Sequence, residues 1–155
     1  MIFKGKVHKN IKSESCQLVE IPLLDLMTQG EDPEDCLLMV VDAIESLDPT
    51  LKGKLSTKWA DKKKSDFFLI CEDPKIIGML LQRQRIASGM TVKEAAKKLG
   101  FKSHNSISAY EQGEREPTIS KLSQILSAYG KHFELGSEHR FQPCRNDHAS
   151  LRQSN

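Results

Sequence analysis

Aromatic side chains are scarce in this chain, 6% of 155 residues with a single Trp59, so any core must be mainly aliphatic. Patterned cysteine is missing as well. Cys16, Cys36, Cys71 and Cys144 contain no CxxC pair, which argues against a zinc site or a disulfide framework and leaves buried free thiols. His132, His139, Cys144 and His148 lie in a polar stretch and are not read as ligands, so neither metal nor cofactor is expected. No run reaches the roughly 20 apolar residues of a membrane span, and the start lacks an apolar signal-peptide core. A cytoplasmic chain without a membrane partner is the expectation. What remains is a hydrophobic share of 38%, enough for one ordinary domain or two small ones.

Net charge is only +2, but it is unevenly placed. Residues 1–75 hold 11 Lys/Arg against 14 Asp/Glu, whereas residues 76–135 hold 9 against 5. An acidic first half and a basic second half suggest two different partners, the basic one suited to phosphate.

The first half reads as three short strands, one helix and a final strand. Residues 2–7 and 16–21 alternate and flank a polar turn at 9–15, a hairpin pattern, and residues 24–29 supply a third strand ending at Gly30. Asp32 can cap a helix that Pro33 opens, with Glu34 and Asp35 at its positive end. Leu37, Val40, Val41, Ile44 and Leu47 form its apolar stripe. Residues 31–48 carry seven acidic side chains and no basic one. Residues 49–66 read as a polar connection containing Lys62-Lys63-Lys64, before a β-prone run at 67–71. The expected order is therefore β-β-β-α-β, with the boundary at 72–75.

From Ile76 the apolar period becomes helical. A first helix over 76–87 offers Ile77, Leu80, Leu81 and Ile86 inward and stops at Ser88-Gly89. Thr91-Val92-Lys93-Glu94 is a capping box opening a second helix. Its adjacent small residues, Ala95 and Ala96, permit a steep, close crossing, and Gly100 ends it. Ser103 can cap a third helix through Gln112, with Ile107 and Tyr110 inward and His104, Asn105, Ser106 and Ala109 outward. Pro117-Thr118 opens a fourth, with Ile119, Leu122, Ile125 and Leu126 inward.

Leu81, Arg85, Thr91, Ala96, Leu99-Gly100, Ile107-Ser108, Tyr110-Glu111, Gly113, Pro117 and Leu122, in this order, resemble the phage-repressor-like (Xre-type) helix-turn-helix family. The segment 101–105 is one residue longer than the usual turn. In such domains the second helix of the motif enters the major groove with its N-terminal residues toward base edges. Asn105 then suits adenine, His104 and Ser106 suit bases or phosphate, and Ala109 suits a thymine methyl. Thr91, Lys102, Ser103 and Arg115 complete the expected operator-DNA contacts. Tyr110, Glu111, Arg83 and Arg85 are expected to be structural, surface or ion-paired.

A second resemblance spans about residues 1–136. Val19-Glu20-Ile21-Pro22, Thr28-Gln29-Gly30, Pro33-Glu34-Asp35-Cys36 and Asp42-Ala43-Ile44 are similar to the N-terminal domain of HicB antitoxins. Phe101-Lys102-Ser103-His104-Asn105-Ser106, Tyr110-Glu111-Gln112-Gly113, Pro117-Thr118 and His132-Phe133-Glu134-Leu135 resemble the helix-turn-helix version of that family, which shares the longer turn. Pro22-Leu23-Leu24-Asp25-Leu26 stands where the family has a Pro-Gly bend.

The resemblance implies an α+β fold in which a partial ribonuclease-H-like domain, residues 1–75, is followed by an all-α helix-turn-helix domain, residues 76–136, and a disordered tail, residues 137–155. It further implies a homodimer or higher homo-oligomer that neutralises a small basic HicA-type toxin, which cleaves messenger RNA, and represses its own operon. Glu31, Glu34 and Asp35 are the expected toxin contacts. Two other readings stay open. One is a stand-alone regulator with an N-terminal sensing or oligomerisation domain. The other is a nuclease using Glu20, Asp25, Asp66 and Glu72, for which no His or Cys pairing argues, so no catalytic residue is assigned.

Overall fold

The computed structural model describes residues 1–9 and 16–131. The turn expected at 9–15 therefore lies outside the described residues after Lys9, and so do His132-Phe133-Glu134-Leu135 and the tail at 137–155.

Five antiparallel strands form one sheet: β1 (Ile2–Lys9), β2 (Gln17–Ile21), β3 (Leu26–Gly30), β4 (Leu55–Trp59) and β5 (Asp66–Cys71), in spatial order β3-β2-β1-β5-β4. Alternation sends Phe3, Val7, Val19, Ile21, Leu26, Phe67, Leu69 and Cys71 to one buried face. Helix α1 (Pro33–Leu47) covers that face with Cys36, Leu37, Val40 and Ile44. Asp32 caps it by accepting the Glu34 and Asp35 amides at 2.8 and 2.9 Å. The close fit requires glycine at two places. A Cβ on Gly5 would strike the Phe67 ring, and one on Gly30 would lie 2.5 Å from the Cys36 amide nitrogen.

The sheet has one strand more than the β-β-β-α-β order expected. β4 lies inside residues 49–66, which read as a polar connection. Its alternation, half-buried Leu55, Thr57 and Trp59 against exposed Ser56 and Lys58, was masked by the lysines around it. Such lysines are what an edge strand tolerates. The third strand also starts later than expected, because Pro22–Leu24 form a 3-10 turn and Asp25 takes a left-handed φ of 48°.

Beyond the sheet lie α2 (Lys75–Ala87), α3 (Val92–Lys98), α4 (Asn105–Glu111) and α5 (Ile119–Ala128). Ile76, Leu80, Leu81, Ala95, Ala96, Ile107, Leu122, Ile125 and Leu126 pack together. Two expected core residues, Ile86 and Ile119, are instead 59% and 62% exposed, and Leu47 at the end of α1 is 52% exposed. In the last turn of α2 the inward position belongs to Gln84, 1% exposed, and Ile119 precedes the first packed turn of α5.

Gln84 is inward because it holds the sheet. Its Nε2 donates to the Leu23 carbonyl at 2.7 Å, while Arg83 Nε donates to the Leu24 carbonyl at 2.5 Å and Nη2 to that of Asp25. Three successive carbonyls of the 22–25 turn are thus clamped by adjacent side chains of α2. The double substitution Arg83→Ala, Gln84→Ala should split one cooperative urea transition into two, read by far-UV circular dichroism and Trp59 fluorescence. Coincident transitions in the variant would show that apolar contact alone couples sheet and helices.

Candidate nucleic-acid interface

α3 and α4 form the helix pair. Both halves of the capping box at α3 are present: Thr91 Oγ1 accepts the Glu94 amide at 3.2 Å, and Glu94 Oε2 accepts the Thr91 amide at 2.8 Å. The Thr91 hydroxyl also donates to Glu94, so a phosphate at Thr91 would have to compete with that carboxylate. Ala95 and Ala96 are buried where the pair crosses, and Gly100 turns the chain at φ 71°.

α4 begins later than the expected Ser103. Ser103 nevertheless does the capping, since its Oγ accepts the Asn105 amide at 3.2 Å, while His104 is already right-handed. Lys102, Ser103, His104 and Asn105 are exposed at the N-terminal end of α4; Ser106 and Ala109 are half-buried beside them. Five of the expected DNA contacts, 102–106, therefore lie together at the N-terminal end of α4, and Ala109 follows one turn on from Asn105. Arg115 joins them because its amide donates to the Ala109 carbonyl at 3.1 Å, folding the following loop back under α4. Its guanidinium sits 5.8 Å from the Tyr110 ring centroid.

The rear of α4 is locked. Arg85 on α2 makes a bidentate pair with Glu111, Nε to Oε1 at 2.7 Å and Nη2 to Oε2 at 2.9 Å, and its Nη1 donates to the Met90 carbonyl at 2.9 Å. The two side chains are 11% and 5% exposed, so this is a structural pair; the sequence offered Glu111 as structural and Arg85 as surface or ion-paired, without joining them. The hydrogen bonds that the Arg85 guanidinium donates to Glu111 hold it above its ordinary pKa. Gly78 lets α2 approach this closely: a Cβ there would come within 2.7 Å of the Glu111 carbonyl. Tyr129 is buried beside the pair, and burial, followed by the Glu111 charge, pushes its phenol well above the ordinary range.

Lys121 is a candidate the sequence reading missed. It occupies the first turn of α5, three residues after the Thr118 cap, where the positive end of a helix dipole disfavours a cation. Its Nζ stacks 4.8 Å from the Phe101 ring centroid and bonds Gln124. A nearby phosphate would balance that charge, and the conflict with the dipole was the available signal.

The expected partner contacts on the sheet side are more dispersed. Glu34 is already paired, with Lys64 at 2.5 Å and the Trp59 indole at 3.3 Å, and these bonds hold its carboxyl below the usual range. Asp35 accepts the Glu31 amide at 2.9 Å, and Glu31 itself is exposed. Asp42, which the sequence offered within the resemblance but not as a contact, is exposed on α1. Of the carboxylates considered for catalysis, Glu20 bonds His8, Asp66 lies 3.8 Å from Lys4, and Asp25 and Glu72 are exposed elsewhere.

Residues 81–135 match the family described as Helix-turn-helix. With four helices in this arrangement, that stretch is an Xre-type DNA-binding domain and defines the protein as a DNA-binding transcriptional regulator. No curated protein matches the chain. Among the described residues, no helix is long and apolar enough to cross a membrane.

Proposed function

We infer that this regulator is the antitoxin of a type II toxin–antitoxin pair of the HicB kind, binding a small basic HicA-type toxin through its sheet and repressing its own operon through its helix-turn-helix. One observation carries the reading: a DNA-reading motif is clamped to a separate small sheet whose covering helix has only acidic side chains among its charged ones. The single helix across an antiparallel sheet fits the family's truncated ribonuclease-H-like domain, although the strand count exceeds the expected one. The proposed protein is a cytoplasmic homo-oligomer, working by binding, with no cofactor, metal or turnover.

A regulator that senses a small molecule is the second reading. Its best site is a cleft of about 590 Å³ along β4 and β5, lined by Lys54, Ser56, Ile70, Glu72, Asp73 and Pro74 among others. Ligand pockets are typically about 300–1,000 Å³ and mostly apolar. This cleft has the volume of a ligand site, but its lining is charged and two of its groups, Lys54 and Asp73, already pair with each other, which favours the antitoxin.

Full-length protein co-expressed with its cognate HicA-type toxin should relieve growth arrest. The Asn105→Ala, His104→Ala variant should rescue equally while losing operator repression, read with a promoter–reporter fusion. Failure of the full-length chain to rescue would sink the antitoxin reading and leave the regulator.

A further inference from the structure

β3 is an edge of the sheet with β2 on one side and, among the described residues, no main-chain partner on the other. The two edges differ in chemistry. β4 carries Lys58 and follows Lys54, the charges that deter another chain from adding a strand. β3 reads Leu26-Met27-Thr28-Gln29-Gly30, without charge or proline, and Met27 is 61% exposed. Unpaired N–H and C=O groups along such an edge are a template for an incoming strand.

The surroundings of this edge select its occupant. α1 packs over β3, with Gly30 directly beneath Cys36. On α1, Glu34 and Glu45 are engaged away from β3, holding Lys64 with Trp59 and the Gly53 amide. Asp35 and Asp42 fall about a quarter-turn further round the helix from them, and Glu31 follows the end of β3. No Lys or Arg between residues 31 and 48 offsets these three carboxylates. A second copy paired through a two-fold axis would set two such acidic flanks against each other, and like charges oppose that pairing. A basic chain meets no such penalty.

We propose that β3 is the docking edge for a basic partner protein, which extends this sheet by one strand and sets its Lys and Arg against Glu31, Asp35 and Asp42. The proposal rests on the antitoxin reading and names where the toxin binds.

The test titrates full-length chain with the cognate HicA-type toxin that the antitoxin reading requires and follows amide hydrogen exchange. Binding should slow exchange along β3. The Met27→Lys, Gln29→Lys variant, altered only at exposed positions, should bind at least about tenfold more weakly, and Asp42→Lys about fivefold more weakly, most at low salt. Ile2→Lys, on the uncovered face of the sheet, should bind within about twofold of wild type, as an exposed position outside the contact would. Unchanged β3 exchange together with full affinity of the double-lysine variant would overturn the edge and leave the antitoxin reading intact. If the wild-type chain binds no such protein, both fall.

Discussion

Replacing Glu111 by alanine is expected to lower folding stability by about 3–5 kcal/mol, because it strands the Arg85 guanidinium in a buried site with one of its bonds to Glu111 lost at each end. Both side chains are nearly enclosed, so solvent screening takes little from the effect. Arg85→Ala should be comparably damaging, since it leaves the carboxylate without its cation and the Met90 carbonyl without its donor. Arg85→Leu with Glu111→Leu separates the two contributions: an apolar pair of similar bulk should recover much of the loss. Urea titration of wild type, Arg85→Leu, Glu111→Leu and the double-leucine variant forms a double-mutant cycle. A loss below about 1 kcal/mol for Glu111→Ala, the range of an exposed pair, would show that water reaches the site.

That pair also marks where local sequence signals end. The caps and stops of α2 to α5 were legible because each rests on neighbours a few residues apart: Thr91 with Glu94, Gly100 after Leu99, Thr118 with the Lys121 amide. Arg85 and Glu111 lie 26 residues apart, and Gln84 reaches Leu23 across 61, so no local period encodes them. Gln84 even inverted the pattern, since a buried glutamine at a core position displaced the expected Ile86 outward. The hidden β4 has a similar cause. An edge strand bearing lysines resembles a polar loop in composition, and only its pairing with Leu69 and Cys71 reveals it.

The candidate sites divided along the same line. The contacts expected around α4 are neighbours because they come from one helix end, where sequence adjacency is spatial adjacency. Glu34 was chosen by composition, and composition could not show that Lys64, 30 residues away, already holds it. Asp42 figured only within the Asp42-Ala43-Ile44 resemblance and not as a contact, because sequence alone did not show that it is exposed.

Asn105→Ala should weaken operator binding by about 1–3 kcal/mol and relax preference at one base per half-site, the signature of a lost bidentate contact to adenine. A recognition helix of seven residues, Asn105–Glu111, covers too little of the groove to act singly. A symmetric dimer on half-sites about 34–36 Å apart, or a multiple, is therefore expected. Asn105 is exposed, and among the described residues its side chain makes no bond that would keep it from a base edge. Arg115 and Lys121 are held against Tyr110 and Phe101 and are the proposed phosphate contacts. Arg115→Ala and Lys121→Ala should weaken operator and scrambled DNA alike, and each should flatten the log–log salt slope by about one unit per phosphate contact removed. Titrations of both DNAs at several salt concentrations separate the two behaviours. Equal losses of Asn105→Ala on operator and scrambled DNA would show that the side chain only positions α4. The longer turn at 101–105 would then have moved base reading by one position, to exposed His104 or half-buried Ser106. The alanine variants of those two residues would identify which one discriminates between the DNAs.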